Sequence, residues 1–463
     1  MNTIWQPDLS AHSGPKYRAL MDAIRAGIAS GTLSIGEKLP PVRDLAWRLS
    51  ITPGTVARAY KSLTDDGVLE AAVGRGTFVA GKTPQPQAGE PLFVQTDDAV
   101  DLRSSPVPDV GQGPIIGRML ARIAMASNYV SYPTAATDQP ARAAVADWVG
   151  QGLLGRVEAE DVVMAHGTQN AIILALQAIL SGPSPVILTE DLTYPGVRHA
   201  ARLLRARVVP LAMDGDGILP EALEAACRDH GGQVLITAAM VHSPTTRTTP
   251  LARKQQLAAL ARKYQLQVLE DDCFRLGDAG EVPGYRLLLP ERGWYLSSLT
   301  KSVSSSLRFG FIVCPQGWAD TTRQTAQSSF YGLPQPVLDL GAELIRSGEA
   351  ARIRDLVLEA NRHRVRLAVN ALGGWDLEWR PDVPYVWLRL PRGWRASTFA
   401  RACETRGIRI KSADEFALED GNAPSAVRIA CNSTASEARY EAALRELGDL
   451  LANPPLKADV LMG

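Results

Sequence analysis

Apolar side chains recur at helical spacing within residues 16–30, which predicts an amphipathic helix near the start of the chain. A second helix is predicted over residues 39–50, and a third begins at Pro53, directly behind the capping residue Thr52. Two short apolar runs within residues 68–79 flank a glycine-containing turn and predict a hairpin. Three helices followed by a hairpin are typical of a winged helix-turn-helix.

From about residue 100 to 370, short apolar strands alternate with amphipathic helices. This alternation predicts an α/β domain with a mostly parallel sheet that is covered by helices on both faces. A longer helix at about 349–372 then leads into a smaller α+β portion. The strands of the large sheet are predicted at residues 161–166, 185–190, 206–212, 233–240, 267–272, 294–299 and 309–314.

Composition and charge restrict the class of protein. The 463 residues are too many for one hydrophobic core, and Lys+Arg equals Asp+Glu at 49 each, so the net charge indicates no particular partner. The five cysteines show no CxxC spacing, which favours a reducing cytosol and disfavours both a disulfide framework and a metal site. We therefore expect a cytoplasmic protein without metal, and the short apolar runs predict no membrane span.

Residues 80–98 are rich in proline, glycine and glutamine, a composition that is typical of a flexible linker. Such a linker would let the N-terminal domain move relative to the remainder of the chain. We therefore predict four segments: a winged-helix domain at 1–79, the linker, a large domain at 99–370 and a small C-terminal portion at 371–463.

The winged helix-turn-helix indicates double-stranded DNA as a partner, because its third helix fits a major groove. Hydroxyl and guanidinium groups along that helix suit phosphate contacts first and base contacts second. An arginine in the turn of the hairpin suits a minor groove or the DNA backbone. The candidate DNA contacts are Arg43, Thr52, Thr55, Arg58, Lys61, Arg75 and Gly76.

Residues 36–79 resemble the winged helix of the GntR-type transcriptional regulators. The segment contains the LP-x-x-R-x-L-A turn, the T-V-x-x-A-Y helix and the G-x-G-T-F-V hairpin of that family. One departure is Pro53-Gly54, where many members have Arg-Thr or Arg-Asn. The resemblance implies the same fold and a DNA-binding function.

Lys301 lies in the segment WYLSSLTKSVSSSLRFGF (294–311), where an apolar run leads into a cluster of hydroxyl side chains. Such a setting suits a lysine that reacts with an aldehyde cofactor, because partial burial lowers the pKa of the amine. Arg308 and the hydroxyls would then hold a phosphate beside it. For this segment alone, an ordinary lysine in a surface turn is the alternative.

Polar residues also lie directly after other predicted strands, at the edge where α/β domains bind ligands. Gly167 and Thr168 open a helix, and free amides with a hydroxyl suit a phosphate there. Tyr194 suits stacking on an aromatic ring, and an acid in the pair 271–272 suits a protonated pyridine nitrogen. For each position alone, an ordinary helix cap, a core tyrosine or a solvated carboxylate is the alternative.

In this order, the set resembles the fold-type I aminotransferases, which bind pyridoxal 5′-phosphate (PLP). The resemblance spans about 100–450, and SSLTKSVSSSLRFGF is similar to the lysine signature of that family. It implies that Lys301 forms the internal aldimine and that Arg428, in AVRIACN, binds the carboxylate of an amino acid. It also implies that Asp271, or alternatively Asp272, pairs with the pyridine nitrogen. The implied cofactor-binding residues are Gly167, Thr168, Gln169, Tyr194, Ser243, Asp271, Ser298, Lys301 and Arg308.

The chain departs from that family in three places. The asparagine that bonds the ring hydroxyl is here Ser243, and the tyrosine after the acidic pair is here Cys273. The Y-x-x-x-x-G-x-x-x-LR segment appears at Tyr132 without its glycine. Because the ring hydroxyl loses two expected donors, these changes weaken the case for an efficient transaminase.

A GntR-type winged helix fused by a linker to an aminotransferase-like domain resembles the MocR-type transcriptional regulators. The resemblance implies a homodimer that binds PLP and DNA and senses a small amino compound through aldimine exchange at Lys301. It also implies a regulator and not an enzyme, with at most residual half-transamination. Two alternatives stay open: an active aminotransferase with an attached winged helix, and a regulator whose effector domain does not use PLP.

Overall fold

The structure is a computed structural model of the 463-residue chain. It describes residues 5, 7, 9, 15–65, 68–72, 76–80, 99–126, 129–132, 134, 136–277, 282–418 and 423–454. The chain forms two compact units, Met1–Asp97 and Asp98–Gly463. Among the described helices, none has both the length and the apolar character that crossing a membrane requires.

The first unit is a winged helix-turn-helix, as the apolar pattern predicts. Its hairpin is antiparallel and pairs Leu69 with Val79. Leu20, Leu45 and Val56 come from the three helices and are fully buried at the centre of the core. The helices are Lys16–Ala29, Val42–Arg48 and Pro53–Asp65, and the strands are Leu69–Ala72 and Gly76–Val79.

The second unit is built around a seven-stranded sheet. Its strands are parallel except Phe309–Val313, which runs antiparallel to both neighbours, so the predicted mostly parallel sheet is confirmed. The strand predicted over 233–240 ends at Thr237, because the next amide, that of Ala238, donates to the Glu190 carboxylate. In order across the sheet, the strands are Val162–His166, Phe309–Val313, Gly293–Ser298, Gln267–Asp271, Val234–Thr237, Val186–Glu190 and Arg207–Leu211.

Helices cover both faces of this sheet. Ala171 packs with Leu296 on one face, and Leu257 packs with Val268 on the other. Five of the helices were not predicted, and in two of them a proline near the start resembles a turn signal, although proline suits a first helical turn. Those five are Gln112–Ala126, Gln139–Trp148, Gln151–Leu154, Tyr285–Leu288 and Ala319–Phe330; the others are Gly167–Ile179, Pro195–Leu203, Pro220–His230, Leu251–Lys263 and Gln335–Arg346.

The long helix Glu349–Leu372 connects the large sheet with the smaller α+β portion. Its first half, with Ile353, packs into the core of the large sheet, and its second half, with Val365, packs into the small core. Residues 100–102 also reach the small portion, where their strand pairs with Ile408–Arg409. The small sheet has the strand order Leu377–Glu378, Tyr385–Arg389, Ala426–Ala430 and Lys411–Ser412, with helices Ala396–Glu404 and Glu437–Ala452.

The predicted segment boundaries at 79, 98 and 370 stay predictions. The packing of residues 100–102 against the small core shows that the start of the predicted large domain serves both portions. The predicted linker lies outside the described residues except for residue 80.

Candidate functional site

Lys301 lies in the turn after the central strand Gly293–Ser298. Its Nζ donates to the carbonyl oxygen of Ser105 at 3.1 Å and lies 5.2 Å from the centre of the Phe274 ring. Burial lowers the pKa of Lys301, and two nearby arginines act in the same direction. A lowered pKa enlarges the neutral fraction of the amine, which is the form that attacks a carbonyl.

Gly167 and Arg308 form a cradle at the start of the helix Gly167–Ile179. Gly167 has a φ of +76°, and a Cβ at this position would lie 2.5 Å from Arg308 Nη2. Arg308 itself has a φ of +52°, and its Nη2 donates to the carbonyl oxygen of His166 at 3.1 Å. Only glycine therefore lets the guanidinium group approach the free amides of this helix, where an anion binds well.

Two hydroxyl groups extend this cradle. Thr168 Oγ1 donates to Ser298 Oγ at 3.2 Å, and the amide of Thr300 donates to the same oxygen at 3.3 Å. Thr300 Oγ1 is buried and has no partner among the described residues. The structure thus brings together four of the predicted phosphate-binding residues, Gly167, Thr168, Ser298 and Arg308.

Gln169 and Tyr194 form a neighbouring wall of the site. Gln169 Nε2 donates to the carbonyl oxygen of Gly196 at 3.0 Å, while its Oε1 is buried without a partner in the described part of the chain. Tyr194 is 40 % exposed as a residue, and its ring passes close to Gly196. A Cβ at position 196 would collide with both side chains, so glycine allows them to lie side by side.

The two adjacent acids at the end of strand Gln267–Asp271 differ in their partners. Asp272 is fully buried at its side chain and accepts from Arg275 Nε at 2.7 Å. Asp271 Oδ1 accepts from the amide of Cys273 at 3.3 Å, and its charge acts on the pKa of Lys301. Burial raises the pKa of each acid to about 6. Asp271 is therefore the acid beside the lysine, and its pairing with a pyridine nitrogen stays a prediction.

Arg428 is a buried cation, only 7 % exposed. Its Nη1 donates to Ser243 Oγ at 2.9 Å, and its Nη2 donates to the carbonyl oxygen of Arg103 at 2.7 Å. The rings of Tyr385 and Phe416 lie 5.0 and 4.9 Å from its guanidinium carbon. Among the described residues it forms no ion pair with a carboxylate, and burial lowers its pKa. A buried cation with only neutral partners suits a ligand carboxylate.

In the first unit, Thr52 caps the third helix, because its Oγ1 accepts from the amide of Thr55 at 3.2 Å. Arg58, on the exposed side of that helix, stacks on the ring of Tyr17 with its guanidinium carbon 4.1 Å from the ring centre. This stacking, which holds the arginine in one orientation, was not predicted, because Tyr17 lies on a different helix and 41 residues before Arg58 in the chain.

The other candidate DNA contacts have few fixed partners. Arg43 and Lys61 are exposed, and Gly76 begins the second strand of the wing with a φ of +118°. Arg75 lies outside the described residues. Trp47, one helical turn after Arg43, is strongly exposed, and the sequence reasoning did not single it out.

Comparison with known proteins covers both units. Residues 16–79 match the gntR family of bacterial regulatory proteins, and residues 102–447 match the class I and II aminotransferases. The chain belongs to the class I and II aminotransferase family. Together with the gntR match, this is the architecture of the MocR-type regulators.

Relatives of similar length include transcriptional regulators. The chain is 26 % identical to the uncharacterized HTH-type transcriptional regulator YdeF of Bacillus subtilis, with 92 % of each chain covered. It is 25 % identical to the HTH-type pyridoxine biosynthesis transcriptional regulator PdxR of Corynebacterium glutamicum, with 80 % of each covered. The crystal structure of an archaeal alanine:glyoxylate aminotransferase superposes with a TM-score of 0.69 at 20 % identity, over 77 % of this chain and 91 % of that one. This last likeness shows the fold alone.

PLP is the cofactor of this aminotransferase domain, and the residues at the strand ends fit it. The cradle of Gly167 and Arg308 suits its phosphate, and the lowered pKa of Lys301 suits its aldehyde. Gln169 Oε1 and Thr300 Oγ1 are buried polar atoms that have no other partner among the described residues. The individual roles of these residues stay predictions.

Sequence reasoning missed the contacts of Arg103, Ser105 and Phe274 with this site. Ser105 precedes Lys301 by 196 residues, and its contribution is a backbone carbonyl, which leaves no mark on the sequence. Phe274 comes shortly after the acidic pair, so its position next to the ligand-binding edge was the one available signal.

Proposed function

We propose that the chain is a PLP-binding transcriptional regulator that recognises a small amino compound at Lys301 and Arg428. The observation that carries the proposal is the presence of a DNA-binding helix and a PLP site on one chain. The neutral partners of the buried Arg428 add support, because they leave its charge available for an effector carboxylate. The names of YdeF and PdxR as regulators point to the same class.

In this function each residue has a distinct task. PLP, when bound, supplies an aldehyde and an electron-withdrawing ring. Lys301 supplies the amine, of which a lowered pKa enlarges the neutral fraction, and Asp271 holds a proton at the ring nitrogen. Arg308 binds the phosphate together with the helix amides, and Arg428 orients the effector by its carboxylate. Tyr194 stacks on the ring. These tasks are proposals.

The same geometry disfavours rapid turnover. Ser243 stands where the aminotransferases have an asparagine, and its hydroxyl accepts from Arg428. Cys273 stands where they have a tyrosine, and its thiol has a pKa that burial raises well above the usual value. A thiol is a weak hydrogen-bond donor, and serine lacks the amide NH₂ group with which asparagine donates, so both replacements weaken the donors to the ring hydroxyl. We therefore infer a sensor that retains at most a half-transamination, while an active aminotransferase is the second candidate.

We further propose a cytoplasmic homodimer, which would present two winged helices to paired DNA half-sites. A patch of strongly exposed apolar side chains supports a second copy as partner. Tyr132 and Tyr331 belong to it, with ring centres 5.7 Å apart. Met125 and Val130, which come shortly before Tyr132 in the chain, are strongly exposed as well. Effector binding would then shift the equilibrium between two dimer conformations, which requires that the effector binds the two conformations with different affinities.

The proposal is tested with the full-length protein by visible absorbance and by DNA binding to a fragment of its own promoter. Lys301→Ala removes the reactive amine, and Lys263→Ala removes an exposed lysine that pairs with Glu224. We expect the wild type and Lys263→Ala to bind PLP covalently. Lys301→Ala should lose the visible absorbance of covalently bound PLP and the response of DNA binding to amines.

Three results would change the conclusion. Colourless wild-type protein that still responds to amines would indicate a regulator without PLP. Many turnovers per site with amino donors and 2-oxo acids would indicate an active aminotransferase. Lys301→Ala with an unchanged absorbance and amine response would remove Lys301 from the site.

A further inference from the structure

Residues 103–105, here called the strap, contact two of the basic side chains of the PLP site, Lys301 and Arg428. The carbonyl oxygen of Ser105 accepts from Lys301 Nζ at 3.1 Å. The carbonyl oxygen of Arg103 accepts from Arg428 Nη2 at 2.7 Å. One three-residue segment therefore contacts the amine that takes up the cofactor and the guanidinium that takes up the effector carboxylate.

The strap is fastened on both sides. Ser105 is buried, and its Oγ donates to the carbonyl oxygen of Pro384 at 2.6 Å. Just before the strap, the carbonyl oxygen of Leu102 accepts from the amide of Ala430 at 2.9 Å. Just after it, the amide of Val107 donates to Ser305 Oγ at 3.2 Å. These bonds connect the strap to the small sheet on one side and to the segment after Lys301 on the other.

A carboxylate competes well for Arg428 against a carbonyl oxygen, because it carries a full negative charge and can accept two parallel hydrogen bonds from the guanidinium group. A carboxylate at Arg428 would displace the carbonyl oxygen of Arg103 from Arg428 Nη2. The strap would then lose one of its fixed contacts near the site, and the position of the Ser105 carbonyl would be less constrained.

We propose that the strap couples Arg428 to Lys301, with Ser105 as the positioning residue. When a carboxylate occupies Arg428, the Ser105 carbonyl releases the Lys301 ammonium group. Without that acceptor the amine gives up its proton more readily, and Lys301 then reacts more readily with an aldehyde. By linkage, PLP raises the affinity for the carboxylate by the same factor. This inference rests on the proposed roles of Lys301 and Arg428.

The test measures the dissociation constant of PLP from the full-length protein with and without propionate, a carboxylate that has no amine. We expect propionate to tighten PLP binding about fivefold in the wild type, at the lower end of usual coupling between sites. Direct electrostatics predicts the opposite sign, because an anion near Lys301 stabilises the protonated amine. The sign of the change in PLP affinity therefore distinguishes coupling through the strap from direct electrostatics between the carboxylate and Lys301.

Variants of the strap isolate its contribution. Ser105→Ala removes the bond to Pro384, so the PLP dissociation constants with and without propionate should differ by a factor of only about one. Ser105→Thr keeps a hydroxyl, so propionate should tighten PLP binding as it does in the wild type. Ser104→Ala is the matched control, because the Ser104 hydroxyl shows no hydrogen bond in the described part of the chain. Hydrogen exchange at the amides of residues 103–105 should accelerate with propionate in the wild type and in Ser104→Ala.

Several outcomes would overturn the inference. If propionate leaves the PLP affinity of the wild type unchanged or weakens it, coupling through the strap is rejected, while the proposed function stands. The same holds if propionate changes PLP affinity equally in Ser105→Ala and Ser104→Ala. Propionate that does not bind at all would reject Arg428 as a carboxylate site and the strap with it. Wild-type protein that never takes up PLP would reject the proposed function as well.

Discussion

The two units of the chain hold their functional cations in opposite ways. In the winged helix, Arg43, Arg58 and Lys61 are exposed. In the aminotransferase domain, Arg428 is buried, and burial lowers the pKa of Lys301. Exposed cations attract a polyanion over distance and are screened by salt, whereas buried cations gain most from short bonds to one ligand.

This difference predicts different sensitivities for the two halves of the function. DNA binding should weaken steeply with salt, because each neutralised phosphate releases counterions. PLP and effector binding should respond mainly to pH and to single substitutions, because their partners are buried and few. Substitutions in each unit can therefore test the two kinds of cation separately.

The largest effect is expected for Gly167→Ala, which tests whether the PLP site depends on the close approach of the Arg308 guanidinium group to the backbone of Gly167. The new Cβ would lie 2.5 Å from Arg308 Nη2 and would displace the guanidinium group from the helix amides. Loss of charge-assisted bonds to the phosphate should weaken PLP binding more than about 100-fold in a visible-absorbance titration.

Gly182→Ala provides the matched control. Gly182 has a similar φ of +79°, but a Cβ there would meet nothing within 4 Å. It therefore reproduces the backbone strain without the collision, and PLP affinity should stay within about twofold of the wild type because the variant leaves the cradle intact. Equal losses in both variants would assign the effect to strain and remove the cradle from the explanation.

The next effect concerns the adjacent acids Asp271 and Asp272, of which we interpret the first as functional and the second as structural. Asp271→Asn should weaken PLP binding about 50-fold, because a charge-assisted bond to the ring nitrogen is lost. Asp272→Asn should leave PLP affinity nearly intact, because the Asp272 carboxylate accepts from Arg275 and does not face Lys301 in the same way. PLP titration of both variants decides between the two acids, and the reverse pattern would exchange their roles.

The same acids predict a pH dependence of stability in protein stripped of its cofactor. Their folded-state pKa of about 6 lies above the usual value near 3.9. At these two acids the folded state thus binds more protons than the unfolded state between about pH 4 and 6, so their contribution to stability falls as the pH rises through this window. Urea unfolding at pH 5 and pH 7 should show that Asp271→Asn removes part of this fall relative to the wild type.

Sequence reasoning could predict the fold of both units and most of the strand-end residues. The winged helix follows from local periodicity, and Lys301 and Arg308 lie in one continuous motif. The features that it could not predict depend on contacts between distant segments. Arg103 and Ser105 act through backbone carbonyls, which every residue has, and the choice between Asp271 and Asp272 depends on where Arg275 reaches.

A smaller effect is expected when the buried cation itself is removed. Arg428→Met should reduce propionate affinity about 30-fold, because a bidentate partner for the carboxylate is lost. Stability should change by less than about 1 kcal/mol, since Arg428 has only neutral partners and an apolar group of similar size replaces it. Ligand titration and urea unfolding measure the two quantities separately.

Arg380→Met is the control, since Arg380 is partly buried but pairs with Asp382 at 2.6 Å. Removing it leaves a buried carboxylate without its partner, which should cost about 3 kcal/mol. If Arg428→Met destabilises the protein as much as Arg380→Met, Arg428 has a structural partner, and its charge is not held for a ligand.

The smallest effect tests the exposed side of the comparison. Arg58→Ala should remove one phosphate contact, so the slope of log affinity against log salt should fall by about 0.9, equivalent to about eightfold weaker DNA binding at 0.1 M salt. Tyr17→Leu leaves the charge but removes the ring on which Arg58 stacks, so the slope should stay and only the affinity should fall slightly. Fluorescence anisotropy at several salt concentrations measures both quantities. A salt slope that is unchanged in Arg58→Ala would place this arginine away from the DNA, and the stacking on Tyr17 would then be purely structural.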